Sequence, residues 1–172
     1  MHIIDIEYDD PTFEARAPEA LVRARLEAIV AELTQEDVEF SCTFVTDERI
    51  KELNLQWRNK DEATDILSFV LSDMAEDCGD IDWPEGFESG SGDAEEGGEG
   101  LDADQPRILG DMVVSLDSLK RNADYFSVSE DEELYRLLIH GVLHLLGENH
   151  ATNDPSEPML KRQEQLLKQL RG

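Results

Sequence analysis

Three of the chain's four histidines fall within eleven residues: His140-Gly141-Val142-Leu143-His144-Leu145-Leu146-Gly147-Glu148-Asn149-His150. A separation of four residues puts His140 and His144 on one face of a helix, one turn apart. Two imidazoles placed so can both reach one metal ion. Gly147 tolerates positive φ, so the chain can leave the helix there and turn back. His150, just beyond that turn, can then supply a third nitrogen. Three nitrogen ligands leave one tetrahedral position for water, the open arrangement of a catalytic zinc rather than a closed structural one. Such an ion lowers the pKa of its water to about 7 and supplies hydroxide at neutral pH. Taken singly, each histidine is more often a core or capping residue. Polar imidazoles in an otherwise apolar helix are costly unless partnered, however, and one metal ion would partner all three. His2 stands alone near the terminus and carries no assigned role.

The spacing H-x-x-x-H-x-x-G-x-x-H also occurs in metzincin proteases, where Glu follows the first histidine and serves as general base. Here that residue is Gly141. The ligand pattern is kept and the protease base is missing, which counts against peptide hydrolysis by that route.

The elements that must position these histidines are legible as alternating strand and helix signals. Ile3, Ile4 and Ile6 begin a short strand. Val22, Leu26, Ile29 and Leu33 mark one face of a helix between Ala17 and Leu33. Val38, Phe40, Cys42 and Phe44 alternate with polar residues, as in a half-buried strand. Asp47 can cap a helix carrying Ile50, Leu53 and Trp57. Ile66 to Val70 and Ile108 to Val114 read as buried strands. Ser115 can cap a helix from Leu116 to about Tyr125. Ser129 with Glu132 forms a capping box. It opens a helix apolar on nearly every side, which predicts a central buried position and an end at Gly147. A last amphipathic helix, about Glu157 to Leu170, places Leu160, Leu167 and Leu170 on one face. The expectation is an α+β fold: a single domain over residues 1–172, with a small mixed β-sheet packed by helices around a central buried metal-binding helix.

The net charge of -26 comes from 41 acidic and 15 basic residues. That argues against a general nucleic-acid-binding surface, which is normally basic. The charge is unevenly spread, though. Ser72 to Pro106 contains 13 Asp and Glu and no Lys or Arg. With its many glycines and no apolar periodicity, this stretch is read as a loosely ordered, Gly-rich loop insertion at about 72–106. Cys42 and Cys78 form no metal-binding pair. Both are read as free thiols in a reducing cytoplasm, Cys42 in the core and Cys78 in a loop. No apolar run is long enough to span a membrane, and the N-terminus lacks the basic segment and cleavage site of a signal peptide.

His140-Gly141-x-Leu143-His144-Leu145-x-Gly147-x-x-His150 resembles the signature of the YbeY family. Two further stretches extend the resemblance: Asn54 to Phe69, including Arg58 and Thr64-Asp65-Ile66-Leu67-Ser68-Phe69, and Leu109-Gly110-Asp111-Met112-Val113-Val114-Ser115. With Met159 they cover most of the chain outside the acidic run. Residue 149 is Asn where the family usually has Asp, and the acidic insertion is itself unusual. The resemblance implies a single-strand-specific, metal-dependent endoribonuclease of small-subunit rRNA 3′-end maturation and ribosome quality control. It implies one zinc ion on His140, His144 and His150, with Arg58 in the position of the family's functional arginine. The implied partners are single-stranded RNA, rRNA, and the ribosome or a small-subunit ribosomal protein, in the cytoplasm. No DNA or membrane partner is expected.

The Arg58 guanidinium matches phosphate oxygens and can stabilise charge in a transition state. Read without the resemblance, it is a surface ion pair with Asp61 or Glu62. Lys60 can add positive potential. Asp65, Ser68 and Asp111 are weaker candidates, since turns, caps and strand ends explain such residues well. Two other functions stay open: a zinc peptidase-like hydrolase, and a non-catalytic ribosome-assembly factor with a structural zinc.

Overall fold

Those alternating patterns become four strands and six helices among residues 1–71 and 105–172, the part of the chain that a computed structural model describes. The acidic run lies outside the described residues except for its last two positions, and Cys78 lies outside them with it. The strands are β1 (Ile3–Tyr8), β2 (Val38–Val45), β3 (Ile66–Val70) and β4 (Arg107–Ser115). The helices are α1 (Phe13–Arg16), α2 (Glu19–Leu33), α3 (Asp47–Arg58), α4 (Leu116–Phe126), α5 (Glu130–Leu145) and α6 (Pro158–Arg171).

The strands form one mixed sheet in the order β1-β2-β4-β3. β1 and β4 run parallel to β2, and β3 runs antiparallel to β4. Parallel neighbours need a crossover connection, which α2 supplies between β1 and β2. The result is a small single domain with a mixed sheet and packed helices. Its β1-α2-β2 unit brings it nearer the α/β pattern than α+β implies. Gly110 is required where β4 slips register against β2 between Glu39 and Phe40. Its φ is 134°, and a Cβ there would meet the Phe69 carbonyl oxygen at 2.0 Å.

The sheet has a large core on one face and a small one on the other. On the first face Phe40, Cys42, Phe44, Met112 and Val114 pack with α2, α5 and α6. On the second, Val45, Leu67 and Val113 pack with Ile50 of α3. Burial pushes the Cys42 thiol up to about 12, which keeps it inert in the core. The apolar helix α5 is buried along most of its length, from Leu134 to Leu145. It approaches the sheet closely because residue 141 has no side chain: a Cβ there would lie 2.9 Å from Ile66 Cδ1 and 3.0 Å from Met112 Sδ.

Several local expectations change. Thr46, not Asp47, caps α3, accepting from the Arg49 amide at 3.2 Å. Asp47 is drawn away by tertiary partners, the hydroxyls of Ser115 and Ser118 and the Arg121 guanidinium. Half of the capping box forms. Ser129 Oγ accepts from the Glu132 amide, but the Glu132 carboxylate turns to Arg136 and Arg171 instead. The strands at 66–70 and 107–115 are only partly buried, with Ile108 exposed on β4. On α6 the buried face is Met159, Gln163, Leu166 and Leu167, whereas Leu160 lines a cavity.

Candidate functional site

α5 carries His140 and His144 one turn apart, and the helix then stops. The Gly147 amide donates to the His144 carbonyl at 2.9 Å and the Glu148 amide to the Leu143 carbonyl at 3.0 Å. Gly147 has φ 95°, a conformation that glycine adopts without steric cost. The reversed chain carries His150 back beside the other two. One nitrogen from each of the three rings lies within 4.8 Å of the others, and His140 Nε2 and His144 Nε2 are 3.0 Å apart. Among the described residues no Cys, Asp or Glu joins this group.

The surroundings fix the outward nitrogens. His140 Nδ1 is 2.6 Å from Gln163 Oε1. The Gln163 amide nitrogen donates to Glu164 Oε1 at 3.2 Å, which orients the side chain with its oxygen toward the ring. An amide oxygen only accepts, so His140 Nδ1 is the donor and Nε2 keeps its lone pair toward the cluster. His150 Nδ1 is 2.8 Å from the Thr152 carbonyl oxygen, which leaves Nε2 of that ring with its lone pair as well. The Asn149 side chain and the Glu148 backbone near His144 favour its charged form and partly oppose the effect of burial.

Burial lowers the pKa of His140, an effect that the Gln163 hydrogen bond partly offsets. Burial first, and the neighbouring histidines second, bring His144 down to about 4. Both are neutral at physiological pH, the form that binds metal. Three imidazole nitrogens converge here, two of them on rings held by the Gln163 amide oxygen and the Thr152 carbonyl, and that donor set fits one metal ion.

A cavity of about 950 Å³ opens over the cluster. Arg58, Lys60, Asp65 and Ser68 line it together with the three histidines and Asn149. Arg58 ends α3, where Asn59 adopts a left-handed cap and the buried Asn54 amide pins the following loop by donating to the Glu62 carbonyl at 2.9 Å. Asp61 pairs with Lys51, and Arg58 forms no ion pair with any described residue. Asp65 lines the cavity, but its carboxyl is already engaged. It accepts from the Ile66 amide at 2.8 Å, from Thr64 Oγ1 at 3.3 Å and from Asn122 Nδ2 at 2.7 Å. Burial raises its pKa against these bonds. Asp111 is not part of the cavity. It sits on the opposite face of β4 from Met112 and accepts from Ser41.

Sequence reasoning missed Gln163, whose polar side chain on the buried face of α6 was its only signal. It also missed the clamp beside it, in which Arg136 of α5 pairs with Glu132, Glu133 and Glu164. No helix among the described residues is long and apolar enough to cross a membrane.

A mixed sheet packed by helices, with three histidines at the end of α5 placed so that they could hold one metal ion, defines a small α/β domain with a candidate metal centre. The chain belongs to the Endoribonuclease YbeY family, whose profile matches residues 3–171. It is 37% identical to the endoribonuclease YbeY of Bacillus cytotoxicus over 164 residues, 94% of this chain and 93% of that protein. It is also 37% identical to the Listeria innocua protein of the same description over 133 residues, 77% and 73% of the two chains. The solution structure of TM1509 from Thermotoga maritima shares the fold, with a TM-score of 0.55 at 24% identity over 98% of this chain and 89% of that one.

Proposed function

We propose that the chain is a zinc-dependent, single-strand-specific endoribonuclease acting in small-subunit rRNA 3′-end maturation and ribosome quality control. The observation that carries the reading is the convergence of three imidazole nitrogens in a cavity that also holds Arg58. The family to which the chain belongs supplies the substrate class. Its partners are then single-stranded RNA, rRNA, and the ribosome or a small-subunit ribosomal protein, and its place is the cytoplasm.

His140, His144 and His150 would hold one zinc ion, since neutral imidazoles suit that borderline metal. When bound, the ion supplies Lewis acidity and makes hydroxide available at neutral pH. Gln163 and the Thr152 carbonyl keep His140 and His150 in the tautomers that present Nε2. Arg58 binds the scissile phosphate, its forked donors matching two phosphate oxygens and opposing the charge that builds on them during cleavage.

The peptidase alternative is disfavoured by packing. The position where metzincins carry their catalytic Glu is Gly141, and a Cβ there would lie 2.9 Å from Ile66 Cδ1 and 3.0 Å from Met112 Sδ, so a side chain would have to displace both. A purely structural zinc would call for a fourth protein ligand, and the cluster offers three among the described residues.

Metal analysis paired with cleavage of a defined single-stranded RNA tests the proposal. Wild-type protein is expected to hold about one zinc per chain and to cut the RNA, and His144→Ala to lose both. Stoichiometric zinc in a variant lacking both His140 and His144 would sink the site. Zinc-loaded wild type that cuts peptides and spares RNA would transfer the case to the peptidase.

A further inference from the structure

Side chains alternate along a strand, so Ile66, Ser68 and Val70 share one face of β3. That face is turned to α5, because Ile66 meets α5 at Gly141. Ser68 pairs across the sheet with Met112, the other residue at that contact. Ser68 also lines the cavity over the histidine cluster. Its Oγ is buried and has no hydrogen-bond partner, and among the described residues no other buried side-chain nitrogen or oxygen is left so.

A desolvated, unpaired hydroxyl destabilises a fold. Between Ile66 and Val70, an apolar residue would suit the strand better. The other polar groups on this side of the cavity are committed. Thr64 donates to Asp65, both Asp65 oxygens accept, and Glu133 and Glu164 pair with Arg136. Ser68 therefore carries the uncommitted donor on the sheet wall, and the residue lines the cleft whose rim carries the exposed Arg58 and Lys60.

We propose that Ser68 is a substrate-binding residue whose hydroxyl donates a hydrogen bond to the sugar–phosphate backbone of RNA in the cleft. This rests on the ribonuclease reading above. The two kinds of donor divide the task. A guanidinium at the rim stays hydrated until substrate arrives, and a neutral hydroxyl inside the wall costs far less to desolvate than a charge would.

The test compares wild type, Ser68→Ala and Ser68→Cys as full chains. Four quantities are read: cleavage kinetics on an unstructured RNA oligonucleotide, binding of its uncleavable counterpart with 2′-O-methyl sugars and phosphorothioate linkages, metal content and melting temperature. Ser68→Ala is expected to melt at or above the wild-type temperature, because an unpaired hydroxyl gives way to an apolar group. Metal content should stay the same. KM for RNA and the Kd for the uncleavable oligonucleotide should both rise by about tenfold or more, the loss expected for a hydrogen bond to a charged group. Ser68→Cys, nearly equal in volume and a much weaker donor, should behave likewise and decides the case if the alanine variant is unstable. Wild-type kinetics and binding in the variants would overturn the proposal and leave the ribonuclease reading standing. So would a loss of activity that follows lowered stability or lost metal in both variants, which would make Ser68 a packing residue. A metal-loaded wild type that neither binds nor cuts RNA would overturn both.

Discussion

Arg58 and Gln163 illustrate two ways in which a single residue can serve the cleft. Arg58 reaches it from an exposed helix end, held by the left-handed Asn59 cap and the buried Asn54 amide. Substituting Arg58→Lys keeps the charge and loses the fork, so RNA cleavage should fall. Arg58→Ala should fall further, by about 10²–10³-fold, the usual cost of removing a charge-stabilising donor. Melting temperature and zinc content should barely move, and wild-type cleavage by Arg58→Ala would disprove the role. Gln163 acts from behind the cluster, accepting from His140 Nδ1. Gln163→Leu keeps the buried volume and removes the acceptor, so zinc affinity should drop about 10–100-fold. Competition with a chelator of known affinity measures this, and unchanged affinity would show that His140 needs no such partner.

At the scale of elements, Asp47 joins α3 to α4. Burial opposes its ionisation, but hydrogen bonds from Arg121, Ser115 and Ser118 prevail and bring its pKa down to about 2, from an ordinary 3.8. The fold thus favours the carboxylate. Its contribution to stability is complete above the unfolded value, about 3.8, and is lost as pH falls through about 2. Asp47→Asn should be less stable than wild type at neutral pH, and the difference should shrink below about pH 4. Urea unfolding of both proteins across that range checks the sign, and a gap that widens in acid would contradict it. The expectation that Asp47 caps α3 erred for the same reason: a cap is a local contact, and here a tertiary contact competes for the same carboxylate.

For the whole molecule, the central issue is how so acidic a chain meets RNA. Thirteen of its 41 acidic residues fall between Ser72 and Pro106, and that run joins β3 to β4. These strands are antiparallel neighbours, with Val70 opposite Gly110, so a short hairpin linker can replace residues 72–104. The shortened protein should keep its circular dichroism spectrum and bind single-stranded RNA more tightly at low salt. Salt should narrow the advantage, since screening weakens repulsion between like charges. An affinity gain that persists undiminished at high salt would point to some cause other than charge.

The sequence by itself determined whatever depends on short-range periodicity. The i, i+4 histidine pair, the stop at Gly147, the alternation of β2 and the largely apolar run of α5 are statements about neighbours in the chain, and each appears in the fold at its expected place. Arg58 and the histidines could be named together only through the family resemblance, because they lie far apart in the chain and spacing says nothing about such pairs. Tertiary structure alone decided the rest. Gln163 reaches His140 only because α6 packs on α5. Asp65 and Ser68 stand side by side in sequence terms as equally weak candidates. Packing separates them: one carboxyl is engaged by Ile66, Thr64 and Asn122, and one hydroxyl is left unpaired in the wall of the cleft. Hydrogen-bond satisfaction is a property of the closed three-dimensional network, and no one-dimensional pattern carries it.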